Sequence, residues 1–252
     1  MHVNELGVKT HGSAEEDARR KALVRHFRAC PIPESELLSN LGLFLTSKNL
    51  SRILFMDHLY RQIVGIHGVI MEFGTRWGQN LALFSALRGI YEPFNRHRLL
   101  VGFDTFSGFP MVTPKDGDGD IMKRGAIGVT SGYVEYLTRL MEYHEQENPV
   151  SHLRKFELRA GDAMVEIDHF LAEHPETIVA LAYFDFDLYE PTKKCLRAIK
   201  DRLVKGSVVA FDELCDADAP GETTALQEVF GLNQVRLQRV PRTSRTSYFV
   251  VE

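Results

Sequence analysis

The chain has 252 residues, 44% of them hydrophobic, and a formal net charge of -4 from 30 Lys+Arg against 34 Asp+Glu. That length suits one large α/β domain, or a domain with a helical appendage, and the charge balance gives no reason to expect nucleic acid as a partner. The three cysteines, at positions 30, 195 and 215, are odd in number and far apart, which argues against a disulfide framework or zinc knuckle. The free thiols, the absence of an apolar signal core and the lack of any run of about 18 apolar residues lead to the expectation of a cytoplasmic protein with no membrane span.

Residues 1 to about 12 read as a frayed tail. A charged helical pattern runs from Ser13 to Cys30, with Ser13 as its cap and Pro31 and Pro33 as its stop. Apolar helical stretches follow at about 34–45 and from about Lys48 to Val64. This helical segment, residues 1–64, is expected to cap the active site or to contact another subunit, and residues 65–252 form the main domain. The sheet starts at Gly68-Val-Ile-Met-Glu72-Phe, and a helix runs from about Gly78 to Ile90. A second strand, Leu99 to Phe103, ends at Asp104, and residues 110–131 form a polar, glycine-rich loop. A helix from about Tyr133 to Glu147 leads to a short strand, Phe156 to Arg159, then to Gly161-Asp162-Ala163 and a helix to about His174. Two apolar strands then stop at acids: Val179 runs to Asp185-Phe-Asp187-Leu-Tyr189, and Ser207 runs to Asp212-Glu213. About one helix, from Pro191 to Val204, and Gly206 lie between them. The chain closes on an antiparallel pair, Val235–Val240 with Ser247–Val251.

Strand, helix and strand joined by short turns make a parallel crossover, and ligands bind where such strands end. Asp185, Asp187, Asp212 and Glu213 should therefore converge on one edge. Converging carboxylates repel unless a cation or a proton sits among them, and an all-oxygen set favours Mg, Ca or Mn. The first strand ends in Glu72-Phe-Gly74-Thr-Arg-Trp-Gly78, a turn whose backbone can approach a ligand closely. It matches neither G-x-G-x-x-G nor a P-loop, and a purely structural turn reads equally well. Asp104 is placed to take two ribose hydroxyls and Asp162 to reach an adenine amino group, so turn and acids together fit an adenosine-bearing cofactor. The loop Asp116-Gly-Asp118-Gly-Asp120 resembles the start of a calcium loop, but Ile121 and Ile127 stand where Gly and Glu are needed. It reads as a solvated, mobile loop that could close over substrate. Arg239, Arg242 and Arg245 are surface groups or contacts to an anionic substrate.

Glu72-Phe-Gly-Thr-Arg-Trp-Gly, Phe-Asp104-Thr-Phe-Ser-Gly-Phe-Pro, Gly161-Asp162-Ala, Asp185-Phe-Asp187-Leu-Tyr-Glu and Phe-Asp212-Glu213 occur in that order. Over residues 65 to 252 the chain resembles the macrocin O-methyltransferase (TylF-type) family of sugar O-methyltransferases in antibiotic biosynthesis. The resemblance implies a Rossmann-like class I methyltransferase sandwich, mostly parallel with a C-terminal antiparallel pair, dependent on S-adenosylmethionine (SAM) and Mg. Carried over by position, it implies Asp185 and Asp212 as metal ligands, with Glu213 where the family has a second Asp, and Asp187 as general base. It implies Glu72, Gly74 and Thr75 on the methionine side of the cofactor, Asp104, Phe106 and Ser107 on the ribose side, and Gly161, Asp162 and Ala163 on the adenine side. The acceptor would be a nucleotide sugar such as TDP-rhamnose or a glycosylated natural product, and the protein a homo-oligomer. Competing readings are a catechol-type O-methyltransferase, a dinucleotide oxidoreductase (disfavoured by the missing fingerprint) and a SAM-binding protein without chemistry.

Overall fold

The computed structural model describes residues 2–3, 9–10, 12–243 and 245–252. The chain divides into two compact units, Met1–Ile53 and Leu54–Glu252. In the first, β1 (His2–Val3) pairs antiparallel with β2 (Lys9–Thr10); the rest of the expected frayed tail falls mostly outside the described residues. Helix α1 (Ala14–Arg28) starts at Ser13, whose hydroxyl accepts the Glu16 N–H at 3.2 Å while Glu16 accepts the Ser13 N–H at 2.8 Å. This reciprocal cap satisfies two donors that a helix start otherwise leaves open. Then come α2 (Glu34–Leu37), a 3-10 stretch (Leu38–Phe44) and α3 (Ser47–Ile63), which runs on into the second unit. No side chain of α1, α2 or the 3-10 stretch is buried, and Leu38 is 78% exposed.

The second unit is built on β3 (Val69–Phe73), α4 (Gln79–Tyr91), β4 (Leu100–Asp104), α5 (Tyr133–Glu147), β5 (Phe156–Ala160), α6 (Ala163–Glu173), β6 (Val179–Phe184), α7 (Tyr189–Ile199), β7 (Leu203–Phe211), α8 (Gly221–Val229) and β8 (Ser247–Val250). The sheet order is β5-β4-β3-β6-β7-β8, parallel except for β8. The chain winds outward from β3 to β5, then returns to lay β6 on the other side of β3. That reversal creates a switch point at the carboxyl ends of β3 and β6, where an open α/β sheet binds ligands. Every residue of β6 is buried, as expected of a strand covered on both faces. Met71, Phe73, Val101, Phe184, Val209 and Phe211 pack on one face with α6 to α8. Ile70, Leu100, Leu181, Tyr183 and Val208 pack on the other with α4, α5 and the Phe55–Ile63 end of α3.

The antiparallel closure is present: β8 lies along β7 with Ser247 opposite Phe211. Of Val235–Val240, a single bridge forms, between Gln238 and Tyr248. The helix expected to run to Val204 stops at Ile199. Leu203 and Val204 instead open β7, and Gly206 lies inside that strand at φ +90°. The β6–β7 register jumps there, from Val179↔Leu203 to Leu181↔Val208. A side chain at position 206 would meet Ile66 at 2.5 Å, so the irregular stretch needs glycine twice over, for conformation and for space.

Candidate active site

Four strands carry the same residue type in one register at or next to their carboxyl ends. Phe103, Phe73, Phe184 and Phe211 are aligned across β4, β3, β6 and β7. Their rings stack at 5.0, 4.6 and 5.3 Å between centroids, all within 19° of parallel, and all are fully buried. One residue further on, the ladder continues through Asp185 N–H to Phe73 O (2.8 Å) and Asp212 N–H to Phe184 O (2.9 Å). The phenylalanine row thus anchors the acids that follow it. Gly74, at φ +96°, passes so near the Asp185 carbonyl that a Cβ would sit 2.1 Å from its oxygen. Only glycine lets β3 leave the sheet there.

The strand-end acids act on one another. Burial, and then the Asp212 charge, push the Asp187 carboxyl up to about 6, against the opposing pull of Arg245, a Glu213 hydrogen bond and Arg76. Burial and the Asp187 charge push Glu213 up to about 8, against the opposing pull of Arg245. Asp212 receives the Tyr183 hydroxyl at 2.7 Å. Arg245 ion-pairs with Glu213 and, at 3.0 Å, with Asp216. Its neighbours are therefore acids of the site edge, where the sequence left open a surface position or a substrate contact.

An oxygen-only set with carboxyls pushed toward neutrality is what a hard cation would relieve, and Asp185 and Asp212 fit that role by chemistry and register. Among the described residues the triad with ligand atoms within 4.8 Å of one another is Glu157, Glu173 and His174, and Arg159 already pairs both of those glutamates. Glu213 is held by Arg245 and Asp187.

The expected cofactor residues line the neighbouring strand ends. Glu72 and Thr75 are buried at the end of β3 and just past it. Asp104 accepts the Arg76 N–H at 2.7 Å and the Phe106 N–H at 2.6 Å, and burial raises its carboxyl. Those two bonds tie the β3 and β4 turns together. Phe106 is buried at φ +54°, and Ser107 is exposed. The Gly161 N–H bonds to Asp104 O at 2.9 Å, joining the third strand end to the second. Asp162 caps α6 through Met164 N–H at 2.9 Å, beside buried Ala163. Asp162 therefore has a structural task whatever else it binds.

Two groups at this edge escaped the sequence reading. Glu222, in the first turn of α8, is fully buried and accepts the Phe186 N–H at 3.0 Å and the Asp187 N–H at 3.3 Å. Burial and the charges of Asp187 and Asp185 raise it well above the usual carboxyl range. Asp116 corrects the picture of a solvated, mobile loop. It is 1% exposed; one oxygen accepts the Tyr189 N–H at 2.5 Å and the other accepts Thr113 N–H and hydroxyl. Beside it, the Lys115 amine reaches the Tyr189 hydroxyl and Glu228, each at 2.8 Å. The Asp-Gly alternation looked locally polar, but tertiary contacts dock its first acid against α7.

Two solved structures are similar over almost the whole length. One is CalS11, described as a calicheamicin methyltransferase, at 44% identity and TM-score 0.93, covering 96% of this chain and 94% of that one. The other is apo CalS11, described as a TDP-rhamnose 3'-O-methyltransferase in calicheamicin biosynthesis, at 41% identity and TM-score 0.85, covering 96% of each chain. The O-methyltransferase NovP shares the fold at 18% identity, TM-score 0.60 and 80% of each chain. No family model matches the chain, and no curated protein matches it. With 44% identity maintained across both chains, and with the motif acids gathered at the switch-point edge, the chain belongs to the same O-methyltransferase family as CalS11, the macrocin O-methyltransferase family.

Proposed function

We propose that this enzyme transfers the methyl group of SAM to a hydroxyl of a sugar, carried on a nucleotide as in TDP-rhamnose or on a glycosylated natural product, in antibiotic biosynthesis. The observation that carries this reading is Asp187, a carboxylate held at a switch-point edge and pushed up to about 6. A base of that strength is ionised at neutral pH yet strong enough to draw the proton from a hydroxyl within hydrogen-bond reach. The hydroxyl oxygen bonds to the methyl carbon as the carbon–sulfur bond breaks. The proton passes to Asp187, leaving a methyl ether and S-adenosylhomocysteine. Asp185 and Asp212 would hold a divalent cation, Mg before Ca or Mn, which supplies charge stabilisation to the developing alkoxide. Asp104 and Ser107 would face the cofactor ribose, and Glu72, Gly74 and Thr75 its methionine end. Phe106 would lie on the ribose side, and Gly161, Asp162 and Ala163 beside the adenine. The unburied helices before residue 54 support action as a homo-oligomer, and the free thiols support the cytoplasm as its location.

The test is incubation of the full chain with SAM, Mg and TDP-rhamnose, following S-adenosylhomocysteine and the methylated sugar together. Transfer to the sugar is expected, with Asp187→Asn slowing turnover by about 10²–10⁴-fold. Transfer to a catechol but to no sugar acceptor would overturn the sugar reading. Full turnover by Asp187→Asn would remove Asp187 as the base.

A further inference from the structure

Asp187 reaches its place through an unusual piece of backbone. It adopts φ +60°, a left-handed conformation that non-glycine residues occupy only when their surroundings enforce it. The enforcing groups come from two distant stretches of chain. Glu222 Oε1 accepts both the Phe186 and Asp187 N–H groups. Asp116 Oδ1 accepts the Tyr189 N–H. Both acids are almost wholly buried. The α8 start also presses on the same turn: a Cβ on Gly221 would lie 2.6 Å from Tyr189 N and 2.9 Å from Asp187 O.

We propose that Glu222 and Asp116 are positioning residues that hold the Phe186–Tyr189 turn, and with it the Asp187 carboxylate, in the geometry that accepts the acceptor's proton. The assignment rests on the reading of Asp187 as the base. The two acids differ in what they demand. Glu222 needs one accepting oxygen, since its Oε2 has no hydrogen-bond partner among the described residues. Asp116 needs two, since Oδ2 accepts the Thr113 N–H and hydroxyl while Oδ1 serves Tyr189. An amide in place of Glu222 keeps its single acceptor. An amide in place of Asp116 points an NH₂ at a backbone N–H on one side or the other. Docking of the 110–120 loop and the shape of the base turn are therefore one event, joined by Asp116.

The experiment compares Glu222→Gln, Glu222→Ala and Asp116→Asn by steady-state kinetics, SAM calorimetry and amide hydrogen exchange of the 183–192 segment. Displacing the base by about 1 Å costs on the order of 10²-fold in rate. Glu222→Ala and Asp116→Asn should thus lose about 10–100-fold in kcat, with acceptor KM and SAM affinity within about 3-fold of the parent and faster exchange at 186, 187 and 189. Glu222→Gln should restore both kcat and protection. Should Glu222→Ala fail to fold, the contrast between Glu222→Gln and Asp116→Asn carries the same decision. Parent-like kcat and exchange in Asp116→Asn, or equal loss in Glu222→Gln and Glu222→Ala, would overturn the proposal. If the parent enzyme methylates no sugar, the reading of Asp187 fails. The exchange pattern still decides whether the two acids hold the turn.

Discussion

Removing the Phe184 ring tests whether the phenylalanine row is the structural base of the site. Phe184 stacks on Phe73 at 4.6 Å and on Phe211 at 5.3 Å, with Phe186 edge-on at 6.4 Å. It is fully buried, and Asp185 follows it directly. Phe→Ala in a core costs about 3–5 kcal/mol, set by how far the cavity can collapse. Here neighbours on both sides belong to sheet strands, which cannot close in, and two ring pairs worth about 0.5–1.5 kcal/mol each are lost. The expectation for Phe184→Ala is therefore the upper half of that range, about 4–5 kcal/mol, a large share of the roughly 5–15 kcal/mol that holds a protein folded. Phe184→Leu keeps most of the volume and loses mainly the ring pairs, so it should cost about 1–2.5 kcal/mol. Urea unfolding followed by circular dichroism measures both, with an unchanged slope confirming that the shift lies in stability. A cost under about 1.5 kcal/mol for alanine, or equal costs for alanine and leucine, would show that the row is not packed as described.

Three further outcomes are expected. Arg98→Ala should cost about 3–5 kcal/mol in the same unfolding assay, because it removes the cation paired with the Glu92 carboxylate, whose side chain is 7% exposed, and takes the Arg98 donors from three carbonyls; Arg98 bonds both Glu92 oxygens and the carbonyls of Ile63, Ile66 and Gly68. A cost below about 1 kcal/mol would refute that account. Asp187 and Glu213 are raised in the folded protein, to about 6 and about 8, so folding favours their neutral forms. Their contribution is complete below the ordinary carboxyl range and is lost as pH climbs through those values. In chelator the melting temperature should thus fall across that window, and added Mg should raise it more at the alkaline end; a melting temperature that climbs with pH, with or without Mg, would refute the coupling. Light scattering on the full chain should give the mass of two or more copies, because α1, α2 and the 3-10 stretch bury no side chain and Leu38 and Leu43 are 78% and 67% exposed; a monomer at all concentrations would show that these apolar groups face water.

How much of this could be read in advance follows from where each group's partners lie along the chain. The juxtaposition of the strand-end acids was legible because strand alternation and crossover topology place the ends of β6 and β7 side by side. Asp185 and Asp212 then occupy equivalent steps of adjacent ladders, with no further information needed. The parallel crossovers followed from the same rules, whereas the closing antiparallel pair was expected between Val235–Val240 and Ser247–Val251 and forms instead between β7 and β8. Gly206 was misplaced because a glycine after a helical run is ordinarily a stop signal. Here it is a bulge, and Ile66, 140 positions earlier in numbering, decides it. Helix α8 was missed because Gly-Glu-Thr-Thr is a weak helix start with no side-chain cap. Its loss hid Glu222, whose bonds to residues 186 and 187 span 36 and 35 positions. Asp116 was misread for the same reason: its Tyr189 partner lies 73 positions away, and nothing in Asp-Gly-Asp-Gly-Asp marks one acid as buried. Local pattern therefore exposes the acids that sit at strand ends by topology. Glu222 and Asp116 are carboxylates on neighbouring elements, bonded to backbone N–H groups that every residue except proline possesses. Such pairings leave no mark in either partner's local sequence, and only the folded arrangement of β6, α8 and the 110–120 loop makes them visible.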